Sequence, residues 1–278
     1  MRPRAAVVVG TDLSAGAARA VARSATIARE RSATLHVVHA TSRLPRALAR
    51  QLDTDEAATA RKALDVMVAD LRAGGTAAVA HTVAGGAAPV LRKRAREVDA
   101  RVIVVGSRGR TLSDALIGST AERVVDVGGA PVLLAREPSA RRYRNVVVAI
   151  DEESDVRRAV DAATFVGNGA ELSLLHAYEC PFESRLHLHG AGHSVLRDYR
   201  EQCRAVALEE LTPRVAAAGL SPSALQLTRG NRHRVLAHAA KSRTLLVIIR
   251  KSSAARRLLL GSMSRWVIEH TTTDVLLV

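Results

Sequence analysis

The sequence predicts an α/β protein of two doubly wound domains in tandem, residues 1–138 and 139–278, each on a five-stranded, mainly parallel sheet. Three observations predict it: the chain repeats itself, short apolar runs alternate with helix-period segments in each repeat, and 278 residues suffice for two ordinary domains. Residues 7–12 (VVVGTD) recur as 146–151 (VVVAID), and 35–40 (LHVVHA) as 172–177 (LSLLHA). Val90-Leu91 ahead of the apolar run 102–105 recurs as Val235-Leu236 ahead of 245–248. Gly118-Ser119 recurs as Gly261-Ser262, and 132–134 as 275–277. Landmarks in one order at nearly constant offset mark a tandem duplication, joined near residues 136–140.

Taken in order, residues 7–9 form a short continuous apolar run, as strands covered on both faces do. Ser14 then caps a helix whose apolar stripe is Ala18, Val21, Ala25 and Ala28. A second strand spans 35–40. Leu64, Met67, Val68 and Leu71 fall at i, i+3, i+4 and i+7, and Gly74-Gly75 ends that helix. Residues 77–83 read as a weaker strand, 90–98 as a third helix and 102–105 as a fully apolar strand. A fourth helix begins near Gly118-Ser119, and Pro131 precedes a closing strand at 132–135. This β-α alternation folds with right-handed crossovers and binds ligands beyond the carboxyl ends of its strands. That edge holds Asp12 after the first strand and Gly106 after the fourth.

Composition excludes several classes. With 47% hydrophobic and 24% charged residues the chain is neither disordered nor collagen-like. Its longest apolar runs are far shorter than a membrane span, and no signal-peptide pattern opens it, so a cytoplasmic location is expected. Cys180 and Cys203 suit a reducing compartment and exclude a four-cysteine zinc site. One Trp, three Tyr and two Phe cannot build a base-stacking platform. The net charge of +14 is spread evenly, +8 in the first half and +6 in the second, and reads as a solvated arginine-rich surface. Binding to nucleic acid through basic runs such as Arg92-Lys93-Arg94 is the lesser reading.

Gly106-Ser107-Arg108-Gly109 follows a buried strand directly, and Gly118-Ser119-Thr120 opens a helix. Glycines let backbone approach phosphate oxygens, a helix N-terminus offers free N–H groups, and Arg108 adds charge. The plain alternative is a strand-exit turn and an ordinary N-cap. Residues 102–110, 118–124 and 130–134 together resemble the C-terminal signature of the universal stress protein family. The opening around Asp12 and the strand bearing His39 resemble that family's start, and the resemblance covers both halves. It implies a Rossmann-like (adenine nucleotide alpha hydrolase-like) fold and, in one branch, ATP binding, with Mg as a possible companion, through a G-x2-G-x9-G-S/T motif. On that resemblance Asp12 and Ala40 border adenine and ribose, while Gly106, Gly109, Gly118, Ser119 and Thr120 hold phosphates. The chain departs from the pattern: eight residues, 110–117, separate Gly109 from Gly118.

The second half departs further. Aligned without gaps from Gly261, the counterparts of Gly106 and Gly109 are Ile249 and Ser252; with a one-residue shift they are Arg250 and Ser253. No ATP site is expected there. His187, His189 and His193 are a metal candidate set against a polar connecting loop, and Cys203 reads as a buried small residue on a core helix face. His39 and His176 occupy matching strand ends without a nucleophile partner and read as structural. The expected protein is a non-enzymatic stress regulator holding an adenine nucleotide in its first half, with weak ATPase activity or autophosphorylation at Ser119 or Thr120 as the only chemistry. The resemblance also implies that the two halves pair through their last strands, and leaves a homodimer open. The competing expectation is a scaffold without nucleotide, acting through protein partners.

Overall fold

The computed structural model describes residues 4–41, 56–106, 119–126, 129–138, 140–250 and 261–278. In the first half β1 (Ala6–Gly10) leads into α1 (Ala15–Glu30), β2 (Thr34–Thr41), α2 (Glu56–Ala73) and β3 (Ala78–Ala84). Then come α3 (Ala87–Glu97), β4 (Ala100–Gly106), α4 (Ser119–Asp126) and β5 (Val132–Ala135). The second half repeats the plan with β6 (Asn145–Ala149), α5 (Val156–Val166) and β7 (Glu171–Tyr178). Next are α6 (Glu183–Leu188), α7 (His193–Ala217) and β8 (Leu225–Arg229), then α8 (Arg232–Ala239), β9 (Thr244–Ile248), α9 (Ser262–His270) and β10 (Asp274–Leu277).

All ten strands form one sheet in the order β3-β2-β1-β4-β5-β10-β9-β6-β7-β8. Neighbours within each half run parallel, and β10 lies antiparallel to β5, with Leu276 opposite Leu133. Side chains alternate across the sheet as extended backbone requires. Val7, Val9, Leu133 and Leu276 enter one apolar layer beneath α1, α2, α5 and α7. Val8, Val132, Leu134, Val275 and Leu277 enter the other beneath α3, α4, α8 and α9. Each layer draws residues from both halves, so the core is continuous across the duplication.

Helix α1 corrects the expected stripe by one position. Ser14 accepts from the Ala17 amide at 3.2 Å and sets the helix phase, so Ala17, Ala20, Val21, Ala25 and Ala28 are buried while Ala18 is exposed. The same face buries Arg23, whose Nε lies 2.8 Å from Asp274 Oδ2 on β10. The Tyr143 hydroxyl donates to that oxygen at 2.7 Å, and the Arg23 guanidinium lies 4.3 Å from the Tyr143 ring centre. Asp274 Oδ1 accepts from the amides of Arg136 and Glu137 at 2.6 and 2.8 Å, just past the end of β5. A carboxylate from the second half thus terminates the last strand of the first. Burial, with Asp274 nearby, raises the Glu137 carboxyl above its ordinary range.

Candidate functional site

At the first-half strand exits the chain leaves β1 at Gly10, where an added Cβ would meet Leu91 Cδ1 at 2.8 Å. The Thr11 amide donates to the Val38 carbonyl at 3.0 Å, and His39 Nδ1 lies 2.9 Å from the Thr11 carbonyl. Leu13 takes a φ of 61°, in the left-handed region, and Asp12 Oδ1 accepts from the Ser14 amide at 3.0 Å. These bonds hold a tight hook at the end of β1, beside Ala40 at the end of β2. On the other side of β1, β4 ends at Gly106, in register with Ala135 of β5. Asp12, Ala40 and Gly106 thus come to one edge of the sheet. Ser119 and Thr120 open α4. Arg108, Gly109 and Gly118 lie outside the described residues.

The second half reproduces the hook. The Ile150 amide donates to the Leu175 carbonyl at 3.0 Å, and His176 Nδ1 lies 3.0 Å from the Ile150 carbonyl. Asp151 Oδ1 accepts from the Glu153 amide and the Ser154 hydroxyl. Both histidines are therefore anchored by the strand-exit carbonyl beside them, a structural duty repeated twice. Register also decides between the two alignments of the lost glycines. Val104 pairs with Val9 and Val247 with Val148, which makes Ile249 the counterpart of Gly106. Arg250 follows it, its amide bonded to the Val278 carbonyl and its guanidinium to the Val125 carbonyl.

A cavity of about 940 Å³ opens over these second-half strand ends. Leu175, Ile248 and Ile249 are among its apolar lining, α7 contributes Cys203 and Glu210, and α8 and α9 contribute Arg232 and Ser262. Sequence reasoning missed this cavity. Its signal was present in the exchange of Thr11 and Gly106 for Ile150 and Ile249.

The histidine candidates do not assemble. His187 lies in α6, His189 just beyond it and His193 at the start of α7, all exposed. Residues two apart on a helix face different directions, and the turn through Gly190 sets His193 apart. Among the described residues no group of three His, Cys, Asp or Glu can hold a metal. Cys203 is likewise only half-buried, because the buried stripe of α7 runs through Leu196, Ala207, Leu211 and Val215. Burial and a hydrogen bond with Cys203 push the Cys180 thiol up to about 11, which keeps it protonated at neutral pH.

Comparison with known proteins agrees with this architecture. The universal stress protein family model matches residues 4–136 and again 142–278. The chain belongs to the universal stress protein family. A universal stress protein from Archaeoglobus fulgidus is 20% identical over 98% of this chain and 97% of that one, with a TM-score of 0.68. A functionally unknown protein from Pseudomonas aeruginosa is 16% identical over 100% of this chain and 92% of that one, with a TM-score of 0.63. A universal stress protein in complex with cAMP is 31% identical over 48% of this chain and 97% of that one, with a TM-score of 0.35. Comparison with curated proteins gave no match. In this universal stress protein no described helix is long and apolar enough to cross a membrane.

Proposed function

We propose that this universal stress protein binds ATP or another adenine nucleotide in its first half and acts as a cytoplasmic stress regulator rather than an enzyme. One observation carries the reading: β4 ends on Gly106 beside the Asp12 hook, where the second half has Ile249. A glycine at a strand exit leaves room for phosphate oxygens against the backbone, and the first turn of α4 supplies N–H donors. The second half is read as a built-in pairing partner that holds no nucleotide. The antiparallel register of β5 against β10 supports that part.

Calorimetry of ATP against the full chain and its Gly109→Val variant tests the reading. One-to-one binding, with or without Mg, lost in the variant is expected. Absence of binding to the parent chain overturns it and favours a scaffold working through protein partners. Slow hydrolysis or phosphate transfer to Ser119 or Thr120 is a side reaction in this reading, checked by phosphate release and by mass.

A further inference from the structure

The second-half cavity has the location of a nucleotide cleft but a different chemistry. Its volume, about 940 Å³, is that of a site for a drug-sized molecule. Where the first half has Thr11, Val38 and Gly106 at its strand ends, this one has Ile150, Leu175 and Ile249. Branched side chains close the backbone approach that a polyphosphate needs. Glu152 and Glu179 on the rim repel multiple negative charges as well. The floor that results is aliphatic, and burying apolar ligand surface on it favours binding.

The polar groups are divided between two walls. Helix α7, packed on one side of the sheet, brings Glu210. Helices α8 and α9, packed on the other, bring Arg232 and the Gly261–Ser264 turn. Two guanidinium groups at the cavity are tied to the first half: Arg158 donates to the Gly129 carbonyl at 3.1 Å, and Arg250 donates to the Val125 carbonyl. Arg232, exposed at the start of α8, makes no ion pair among the described residues. Near it α9 starts at Gly261 with no side-chain cap among the described residues, and its first turn, Gly261 to Ser264, lines the cavity. One wall therefore offers cationic character for a single anionic group, above a floor suited to hydrocarbon.

We infer that the second-half cavity binds an amphipathic organic anion, an apolar body with one negative headgroup, with Arg232 and the first turn of α9 receiving the headgroup. The site is separate from the nucleotide reading of the first half and stands whether or not that reading does.

Two fluorescent probes of similar shape test it: 1-anilinonaphthalene-8-sulfonate, which is anionic, and N-phenyl-1-naphthylamine, which is neutral. Both are titrated into the full chain, and decanoate is used to displace them. One saturable site for each probe, emptied by decanoate, is expected. Arg232→Glu, at an exposed position, weakens the anionic probe by about tenfold or more, the size of one lost charge-assisted contact, and changes the neutral probe less than twofold. Val206→Trp, which fills the α7 wall, weakens both. Binding of the anionic probe that Arg232→Glu leaves unchanged overturns the headgroup assignment, and absence of saturable binding overturns the site. Displacement of either probe by ATP places the nucleotide in this cavity and overturns the inference. ATP binding lost in Gly109→Val with both probes unaffected separates the two sites.

Discussion

Asp274 is a charged side chain with no solvent exposure; it holds Arg23 and the Arg136 and Glu137 amides of the first half and the Tyr143 hydroxyl of its own half. Its charge is tolerated because Arg23, Tyr143 and two amides satisfy both oxygens; an unpaired ion there is prohibitive. Asp274→Ala leaves Arg23 buried without its main counter-ion and is expected to cost about 3–5 kcal/mol, read by urea denaturation. His81 is the complementary case. Its Nε2 lies 3.0 Å from His36 Nδ1, and burial, with Arg94 close by, lowers it to about 4. The folded state thus takes this proton less readily than the unfolded chain does. Its contribution to stability is complete above the ordinary imidazole value of 6.5 and is lost as pH falls toward 4. An imidazole titration by NMR should show His81 neutral at pH 5.5, and a midpoint near 6.5 refutes the assignment. Neither cluster was legible in the sequence, because no local pattern announces which distant side chains a sheet brings together.

Elements were more legible than contacts. Strand β5 occupies the expected 132–135, and α2 buries the expected Leu64 and Val68, because a 3.6-residue apolar period survives folding unchanged. In α1 the expected Val21, Ala25 and Ala28 are buried and only Ala18 gives way to Ala17, since alanines alone mark the edge of a face weakly. The connecting loop read around His187, His189 and His193 contains α6 and the start of a 25-residue α7, the helix expected to carry Cys203, and is anchored where Glu183 pairs with Arg200 and Arg229. Close packing of helix on sheet gives a prediction at this scale. An alanine Cβ at Gly167, the end of α5, collides with Val146 Cγ2 and lies 3.0 Å from the Ala163 carbonyl. Gly167→Ala is expected to destabilise by about 1–3 kcal/mol. Gly74→Ala meets only carbonyls at 3.5 Å and should stay within about 0.5 kcal/mol. Equal denaturation midpoints for the two variants contradict this packing.

For the whole molecule the antiparallel joint between β5 and β10 matters most. It makes one sheet and two continuous apolar layers from ten strands, each layer shared by both halves. Unfolding should accordingly be a single cooperative step. The one tryptophan, Trp266, lies in α9 of the second half, whereas far-ultraviolet circular dichroism reports on both halves. The two signals should follow one urea curve; separated midpoints show that the halves unfold independently.

The sequence by itself determined the duplication, the α/β alternation, the strand-exit positions of Asp12 and Gly106 and the loss of the second glycine loop. All of these are carried by periodicity and by residues close together in the chain. Tertiary structure alone decided which residue replaces Gly106, how the Asp274 lock spans the two halves, that three histidines stay apart and that a large cavity stands over Ile249. Those features depend on strand register and on helices placed from opposite faces of the sheet, and a linear pattern constrains neither.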